Sequence, residues 1–342
     1  MARTPPALPA DAERLLVVRL SHLGDVVCAL PLVHALRRAR PACRLGWIVQ
    51  REFAPLLEVL EGVELFCFDR QGGARAWRDL RAALRAWRPD ATLDVQGNAK
   101  SAAAAWVSGA PRRLGPARAE WQEPWAAMGA TQLAQPSAGP HVVQRAAAVA
   151  EAALGEPVEL EAHLPLPEPA LAAGRGLLGE LLPDRGRPRR LVHPGRAGDA
   201  RTLPEETLAA TLEGLASAED LLVITGPAEA EVGDRLRASL GERPGLRHLV
   251  AQEGLVELAA LLAAAGEQGL RVLVGDSGPA HLAAAVGLAT DVWIGPTDPA
   301  RTGPWPPVAR GDSPHRAHEA PGGDLTRLRA DTLVETLLAA SY

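Results

Sequence analysis

The stretch Val274-Gly275-Asp276-Ser277-Gly278-Pro279-Ala280-His281-Leu282, followed by Gly295-Pro296-Thr297-Asp298-Pro299-Ala300-Arg301, decides the fold class of this chain. The apolar run Arg271 to Val274 reads as a strand, and a helix starts directly after Gly275-Asp276-Ser277-Gly278. A helix start leaves backbone N–H groups unpaired and carries the positive end of the helix dipole. Small residues there let an anion come close. A second small-residue turn holds Thr297 and Asp298 and follows the strand Asp291 to Ile294. Two such turns at the C-terminal ends of neighbouring strands predict a nucleotide site in an open α/β sheet. Asp276, Ser277, Gly278, His281, Thr297 and Asp298 are therefore candidate nucleotide contacts. For His281 the competing reading is a histidine satisfied within its helix; its place in the first turn beside the seat favours contact.

Outward from this stretch, strand and helix patterns alternate. In the first half, strands are expected at Leu15–Leu20, Arg44–Val49, Val63–Phe68 and Ala91–Asp94, with helices at Asp25–Arg38, 74–88, 98–107 and His141–Leu154. Residues 116–140 read as irregular. In the second half, strands are expected at Arg190–His193, Leu221–Thr225, Arg247–Val250, Arg271–Val274 and Asp291–Ile294. Helices are expected near 204–215, 228–240, 254–266 and 278–287, with a last one at Asp324–Ala340 behind an Asp324 N-cap. Such alternation indicates βαβ units and parallel sheets. Residues 155–188 are rich in Pro, Gly and Glu, with a helical piece near Pro169–Leu182. The expected organisation is a domain over 1–160, an interdomain passage over 161–188, a second domain over 189–323 and a C-terminal helix over 324–342.

The 342 residues suffice for two domains, and 47% hydrophobic content gives each a core. Three cysteines (Cys28, Cys43, Cys67) in one half, without C-x-x-C, suggest a reduced cytoplasmic protein and no zinc site. Met1 to Ala10 lacks the apolar stretch of a signal peptide, and no apolar run has the length of a membrane span. The net charge of −5 is unevenly placed: residues 1–120 hold 18 Lys and Arg against 12 Asp and Glu, residues 121–342 hold 18 against 29. A basic first half suggests an anionic partner, while the overall acidity argues against nucleic-acid binding. There is no Asp-x-Asp, no P-loop and no G-x-G-x-x-G after the first strand. These absences disfavour a metal-dependent nucleotide-sugar site of the Asp-x-Asp type, a P-loop ATPase and a dinucleotide oxidoreductase.

Several turns bear groups suited to chemistry. Ser21-His22-Leu23-Gly24-Asp25 follows the first strand; Asp25 either caps the next helix or faces the expected cleft as a general base, and spacing alone leaves both open. Lys100, the single lysine of the chain, lies in the first turn of a helix, where its charge opposes the dipole and an anion would explain it. His193-Pro194-Gly195-Arg196-Ala197-Gly198-Asp199-Ala200-Arg201 opens the second half; Arg196 and Arg201 could neutralise a diphosphate. Thr225-Gly226-Pro227-Ala228-Glu229 places Glu229 where a carboxylate can bind ribose hydroxyls, with Glu231 as its rival. Arg75, Arg78, Arg81, Arg85 and Arg88 fall on one side of a helix beside Trp77, Leu80, Leu84 and Trp87, readable as a solvated face or as a landing surface for an anionic acceptor or bilayer.

Together these segments resemble glycosyltransferase family 9, the heptosyltransferases, from about Leu15 to Trp305. Arg19-Leu20-Ser21-His22-Leu23-Gly24-Asp25-Val26 looks like the family's first motif, Asp94-Val95-Gln96-Gly97 with Lys100-Ser101 like its second, and Asp276-Ser277-Gly278, His281-Leu282 and Gly295-Pro296-Thr297-Asp298-Pro299 like its nucleotide-binding end. The resemblance implies a GT-B fold: two Rossmann-like doubly wound domains facing across a cleft, with the C-terminal helix packing back toward the first. It also implies an inverting, metal-independent transfer of heptose from ADP-heptose to an anionic lipopolysaccharide inner-core acceptor of the Kdo-lipid A type. The alternatives are another nucleotide-sugar or acceptor on the same fold, or a catalytically silent sugar-nucleotide binding protein. In this reading Asp25 is the base, and Lys100 and Arg201 stabilise the leaving group. Ser21, Gly24, His193, Arg196, Gly226 and Glu229 join the earlier candidates as donor contacts. No cofactor is implied, because the ADP-sugar is a substrate, and the expected place is the cytoplasm, peripheral at the inner face of the inner membrane. Two departures from the family pattern stand out: Arg201 where a lysine is usual before the Pro-Glu helix start, and Trp121-Gln122-Glu123-Pro124 where some members carry Arg-Glu-Pro.

Overall fold

A computed structural model describes residues 7–339 except 10, 197, 244 and 251–253, with the side chain of residue 250 also left out. Most of the Pro-rich start and the last three residues of the expected C-terminal helix thus lie outside the described residues. The chain divides into two compact units, Met1–Leu164 and Pro165–Tyr342.

The first unit runs β1 (Arg14–Val18), α1 (Leu23–Val27), α2 (Leu30–Ala39), β2 (Arg44–Gln50), α3 (Ala54–Leu57), β3 (Val63–Phe68), α4 (Gly73–Trp87), β4 (Ala91–Asp94), α5 (Ala99–Val107), β5 (Arg112–Gly115), β6 (Gln132–Leu133) and α6 (Val142–Leu154). Its six strands are all parallel, in the order β3-β2-β1-β4-β5-β6. Leu15, Leu16, Val17 and Val18 are buried on both faces of β1, as a strand covered by helices on each side requires. Each such leucine contributes roughly 2 kcal/mol of burial. The helix expected over Asp25–Arg38 is two helices: α1 stops at the Cys28 cap, and α2 restarts with Pro31 in its first turn.

The second unit runs α7 (Glu168–Leu181), β7 (Arg189–His193), α8 (Glu205–Ala216), β8 (Asp220–Thr225), α9 (Ala230–Leu240), β9 (Leu246–Val250), α10 (Leu255–Glu267), β10 (Arg271–Gly275), α11 (Gly278–Ala285), β11 (Ala289–Ile294), α12 (Pro299–Thr302), β12 (Arg316–Glu319) and α13 (Ala330–Ala339). Its parallel order is β12-β11-β10-β7-β8-β9. Helix α7, inside the segment read as an interdomain passage, is an integral part of this unit. It lies so close on α10 that a Cβ at Gly174 would stand 2.3 Å from the Ala260 carbonyl oxygen. Asp324 does not cap the last helix; it accepts from the Thr326 N–H and caps the 3-10 turn Leu325–Arg327. The buried face of α13, Leu333 and Leu337, joins the core of the second unit, with Val334 against Gly214 of α8.

Charge is buried beneath the second sheet. Arg190 and Arg271 stand opposite each other in the β7–β10 register, and two like charges there require compensation. Asp291 of β11 supplies it, accepting from Arg190 at 2.6 Å and from Arg271 at 2.9 and 3.2 Å, while Glu219 accepts from Arg190 at 2.7 and 3.0 Å. Arg316 adds a third cation 3.9 Å from Asp291, so three cations meet two anions, with the His318 ring 3.4 Å from Asp291.

Candidate active site

In a doubly wound sheet the loops at the point where strand order reverses splay apart and leave a crevice beyond the strand C-termini. The first unit reverses between β1 and β4, the second between β7 and β10. The sequence motifs fall on these two points: Ser21–Asp25 after β1, Asp94–Lys100 at and after β4, His193–Arg201 after β7, and Asp276–Gly278 after β10.

In the first unit, Val18 and Asp94 are register partners, so the two turns touch. The Leu20 N–H donates to Gln96 Oε1 at 2.8 Å, and the Arg19 guanidinium donates to the Val95 carbonyl at 2.9 Å. The other end of Arg19 meets Asp25 at 2.5 Å, with His22 Nδ1 3.7 Å from the same carboxylate oxygen. The N-cap of α1 is His22, not Asp25. Asp25 therefore lies in the first helical turn with its side chain about one-third exposed (34%), presented beyond the strand ends. Ser21 precedes a cis peptide to His22, and Gly24 is buried in the same turn. Asp94 is fully buried; Oδ1 accepts from the N–H groups of Gln96 and Gly97, and Oδ2 has no hydrogen-bond partner among the described residues. Burial pushes its carboxyl up to about 6, against the pull of those N–H donors, Ser101 and Arg19.

Lys100 stands half-buried one residue into α5, whose start is closed by a reciprocal Asn98–Ser101 capping box. No carboxylate lies within ion-pair distance of it among the described residues. The segment Trp121–Pro124 lies against this turn: Gln122 N–H donates to the Gly97 carbonyl at 2.8 Å, and Glu123 accepts from the Ala99 N–H at 3.1 Å. Glu123 is thus an extra acceptor at a helix N-terminus, where a carboxylate is favoured.

In the second unit, Gly275 and Gly295 close β10 and the strand β11. A Cβ on Gly275 would fall 2.9 Å from the Arg201 carbonyl oxygen, and one on Gly295 3.3 Å from that of Ala200. Gly275 needs glycine because Trp293 and the 199–202 loop lie directly over it, whereas at Gly295 the nearest atoms belong to Leu325, at 2.9 and 3.0 Å. Trp293 Nε1 donates to the Arg201 carbonyl at 3.0 Å and holds it there. The Arg201 fork grips both oxygens of Asp199 at 3.0 and 2.6 Å, which leaves its third nitrogen 3.4 Å from the Asp276 carbonyl oxygen. A lysine ammonium could not make that two-pronged grip, so the Arg-for-Lys departure is tied to Asp199. His193 is buried; burial pulls its ring down to about 4, so it is neutral near pH 7, and Nδ1 accepts from the Gly195 N–H at 3.2 Å. Arg196 is exposed in the same loop.

Ser277 is the N-cap of α11, but its hydroxyl donates to the Gly275 carbonyl instead of capping, so no side chain caps the first N–H groups of that helix. Asp276 is buried and accepts from the Thr302 hydroxyl at 2.9 Å, and His281 is buried in the first turn of α11. Thr297 Oγ1 is buried without a hydrogen-bond partner among the described residues, whereas Asp298 is exposed and caps the single turn of α12 through the Ala300 N–H at 2.9 Å. Glu229 Oε2 folds back to within 2.8 Å of where a Gly226 Cβ would be, at the end of β8; Glu231 stands 94% exposed on α9. Residues that sequence reasoning missed are Arg19, Gln96 and Asp199, the polar groups that hold Asp25, the β1 turn and Arg201. Their signal was only their place within the motifs. Among the described residues no cluster of three His, Cys, Asp or Glu side chains could hold a metal ion, and no helix is long and apolar enough to cross a membrane.

The profile of glycosyltransferase family 9 (heptosyltransferase) matches residues 77–321. Lipopolysaccharide heptosyltransferase 1 of Pseudomonas aeruginosa is 29% identical over 308 residues, 85% of this chain and 81% of that protein. The Escherichia coli O18:K1:H7 protein of the same name is 26% identical over 336 residues, 94% of this chain and 95% of its own. Among solved structures, E. coli heptosyltransferase WaaC with ADP superposes with a TM-score of 0.75 at 24% identity, covering 96% of this chain and 100% of that one. E. coli ADP-heptose lps heptosyltransferase II gives 0.75 at 22% identity, covering 96% and 98%. The fold is accordingly α/β of the GT-B class, with two Rossmann-like doubly wound units. Since the family profile spans well over half of the residues and both switch-point motifs sit at strand ends of that fold, the chain belongs to glycosyltransferase family 9 (heptosyltransferase) and is a glycosyltransferase.

Proposed function

We propose that this enzyme transfers heptose from ADP-heptose to the inner core of lipopolysaccharide, with inversion at the anomeric carbon and without a metal ion or other cofactor. The observation that carries the reading is the Asp25 carboxylate, ion-paired to Arg19 at 2.5 Å at the switch point of the first sheet, in a chain of this family. The acceptor hydroxyl gives its proton to Asp25 as its oxygen attacks the anomeric carbon. The bond from that carbon to the β-phosphate oxygen breaks, and ADP leaves with the electron pair. Charge developing on the diphosphate is met by Arg201, Lys100 and the uncapped N–H groups at the start of α11, fixed donors that need no reorganisation. Neutral His193, Arg196, Asp276, Ser277, Gly278, His281, Thr297 and Asp298 surround the diphosphate and sugar. Glu229 beside Gly226 accepts from the ribose, and Ser21 and Gly24 shape the turn that presents the base. The acceptor is an anionic glycolipid, so the enzyme works peripherally at the cytoplasmic face of the inner membrane.

Incubation with ADP-heptose and a Kdo-lipid A acceptor is expected to release ADP, and the rate should be unchanged by a chelator. A strict divalent-ion requirement would refute the metal-free mechanism. Binding of ADP-heptose without ADP release in the presence of that acceptor would favour a silent binding protein. Arg201→Gln is expected to lower kcat about 100-fold with a smaller effect on donor affinity, because Arg201 acts on charge that develops as the bond breaks. Steady-state ADP release with calorimetric donor titration separates the two quantities.

A further inference from the structure

Among the described residues, three large apolar side chains are left exposed: Trp106 at 65%, Trp125 at 62% and Met128 at 73%. All three lie within one stretch of the first unit. Single exposed apolar residues are ordinary, but neighbouring ones with a common orientation mark an interaction surface. Their orientation follows from helix geometry. Ala99, Ala102 and Trp106 recur at spacings of three and four along α5 and form one stripe. The 3-10 segment Pro124–Gly129 covers the beginning of that stripe, with Ala126 and Ala127 buried on Ala102 and Trp121. Trp106, one turn further, is left uncovered. In a 3-10 helix, side chains three apart eclipse each other, so Trp125 and Met128 stand together on the side away from Ala126 and Ala127.

The rim of this surface is cationic. Arg118 donates to the Pro124 carbonyl at 3.2 Å and Arg113 to the Gly129 carbonyl at 2.7 Å, so the two ends of the segment are tied by arginines. Arg112, Arg113 and Arg118 have no carboxylate within ion-pair distance among the described residues. The acids of the segment are turned to other work: Glu120 accepts from Ser137 at 2.9 and 2.6 Å, and Glu123 from the Ala99 N–H. The same segment touches the Gly97–Ala99 turn through Gln122 and Glu123, so it joins the polar site of the first unit to an apolar, positively rimmed face. The arginine stripe of α4 is a poorer candidate. Its apolar side, Leu80, Leu84 and Trp87, is buried in the core, and Arg75 and Arg78 both lie 3.5 Å from Asp79.

We propose that Trp106, Trp125 and Met128, rimmed by Arg113 and Arg118, form the face by which the first unit sits on an anionic phospholipid bilayer. Tryptophan is favoured at the membrane–water interface, arginine is drawn to anionic headgroups, and flexible methionine fits a disordered acyl boundary. The inference rests on the reading of the acceptor as a membrane-borne glycolipid. It places the acceptor's sugar at the Gly97–Ala99 turn and its acyl chains in the bilayer beneath the segment.

The test is co-sedimentation of the full chain with vesicles of phosphatidylcholine alone or mixed with phosphatidylglycerol, in low and high salt. The wild type is expected to bind the mixed vesicles, and less so in high salt. The double variant Trp125→Ser/Met128→Ser should lose about tenfold or more in partitioning, while its thermal unfolding and its ADP release with a deacylated acceptor stay at wild-type levels. Arg118→Gln should weaken binding only to the phosphatidylglycerol vesicles. Failure of the wild type to bind mixed vesicles, or equal binding by the double variant, would overturn the proposal. So would a wild-type dimer in light scattering that the double variant dissociates without any change in vesicle binding. Vesicle binding needs neither donor nor acceptor, so absence of ADP release alongside intact, patch-dependent partitioning would remove the heptosyl-transfer reading and leave this face standing.

Discussion

Asp25→Asn is expected to lower kcat about 1000-fold, within the 100- to 10,000-fold range of a lost general base, with donor binding close to wild type. The amide has nearly the carboxylate's shape but cannot take the acceptor proton. The fold should tolerate the change, because the buried Arg19 keeps its bond to the Val95 carbonyl and the oxygen of the substituted amide can still accept from its guanidinium. The donor contacts proposed for the second unit are untouched. ADP release with acceptor present and calorimetric titration of ADP-heptose together check this. Retained turnover would remove Asp25 from the role of base; lost turnover with lost donor affinity would point to a structural effect. The buried Asp94 carboxyl serves as the control. Burial raises it to about 6 and seals it from solvent, so it is ionised near neutral pH yet out of reach of an acceptor.

Asp291→Asn is expected to destabilise the second unit by about 3–5 kcal/mol, the cost of breaking a buried pair and leaving its partner charged. Arg190 and Arg271 would face each other across β7 and β10, with Arg316 nearby and Glu219 alone to balance them. A loss of that size lowers Tm by about 10 °C for a unit of this length, measurable by calorimetry of the full chain, where the first unit's transition should not move. Asp291 is fully buried, which raises its carboxyl, but His318, Arg271 and Arg190 outweigh burial and hold it far below the ordinary value near 3.8. A carboxyl whose folded value is depressed contributes fully above its unfolded value and loses that contribution as pH falls toward the folded one. The gap between wild type and variant should therefore be constant above about pH 5 and narrow in acid. A gap that grew on acidification would contradict the assigned pairing.

The central strands were legible because they are buried on both faces and therefore uniformly apolar: β1, β8 and β10 stand out from the sequence alone. Strands β5, β6 and β12, at or next to a sheet edge, were not, although the edge strands β3 and β9 were. Strand β5 reads Arg-Arg-Leu-Gly, β6 has two residues and β12 reads Arg-Ala-His-Glu, so each offers too little apolar pattern to be seen and exists because a neighbour pairs with it. Helix boundaries shifted for local reasons, as with Pro31 starting a second helix and Asp324 capping a 3-10 turn ahead of the last one. At the candidate site, the turns were legible because glycine and proline punctuate them. Their partners were not, since Asp25 and Arg19 are joined across a turn, and Asp276 and Thr302 across 26 residues.

By itself, then, the order of residues determined the alternation of strands and helices, the small-residue turns after each switch strand and the family motif. All of these rest on local periodicity and backbone freedom that a short stretch carries within itself. Tertiary structure alone decided that Gln96 holds the β1 turn, that Trp293 holds the Arg201 carbonyl, that Thr302 meets Asp276 and that Ala126 and Ala127 cover the start of the α5 stripe. Those pairings depend on which strands lie side by side and which helix covers which stripe, distances set by packing between segments far apart in the chain.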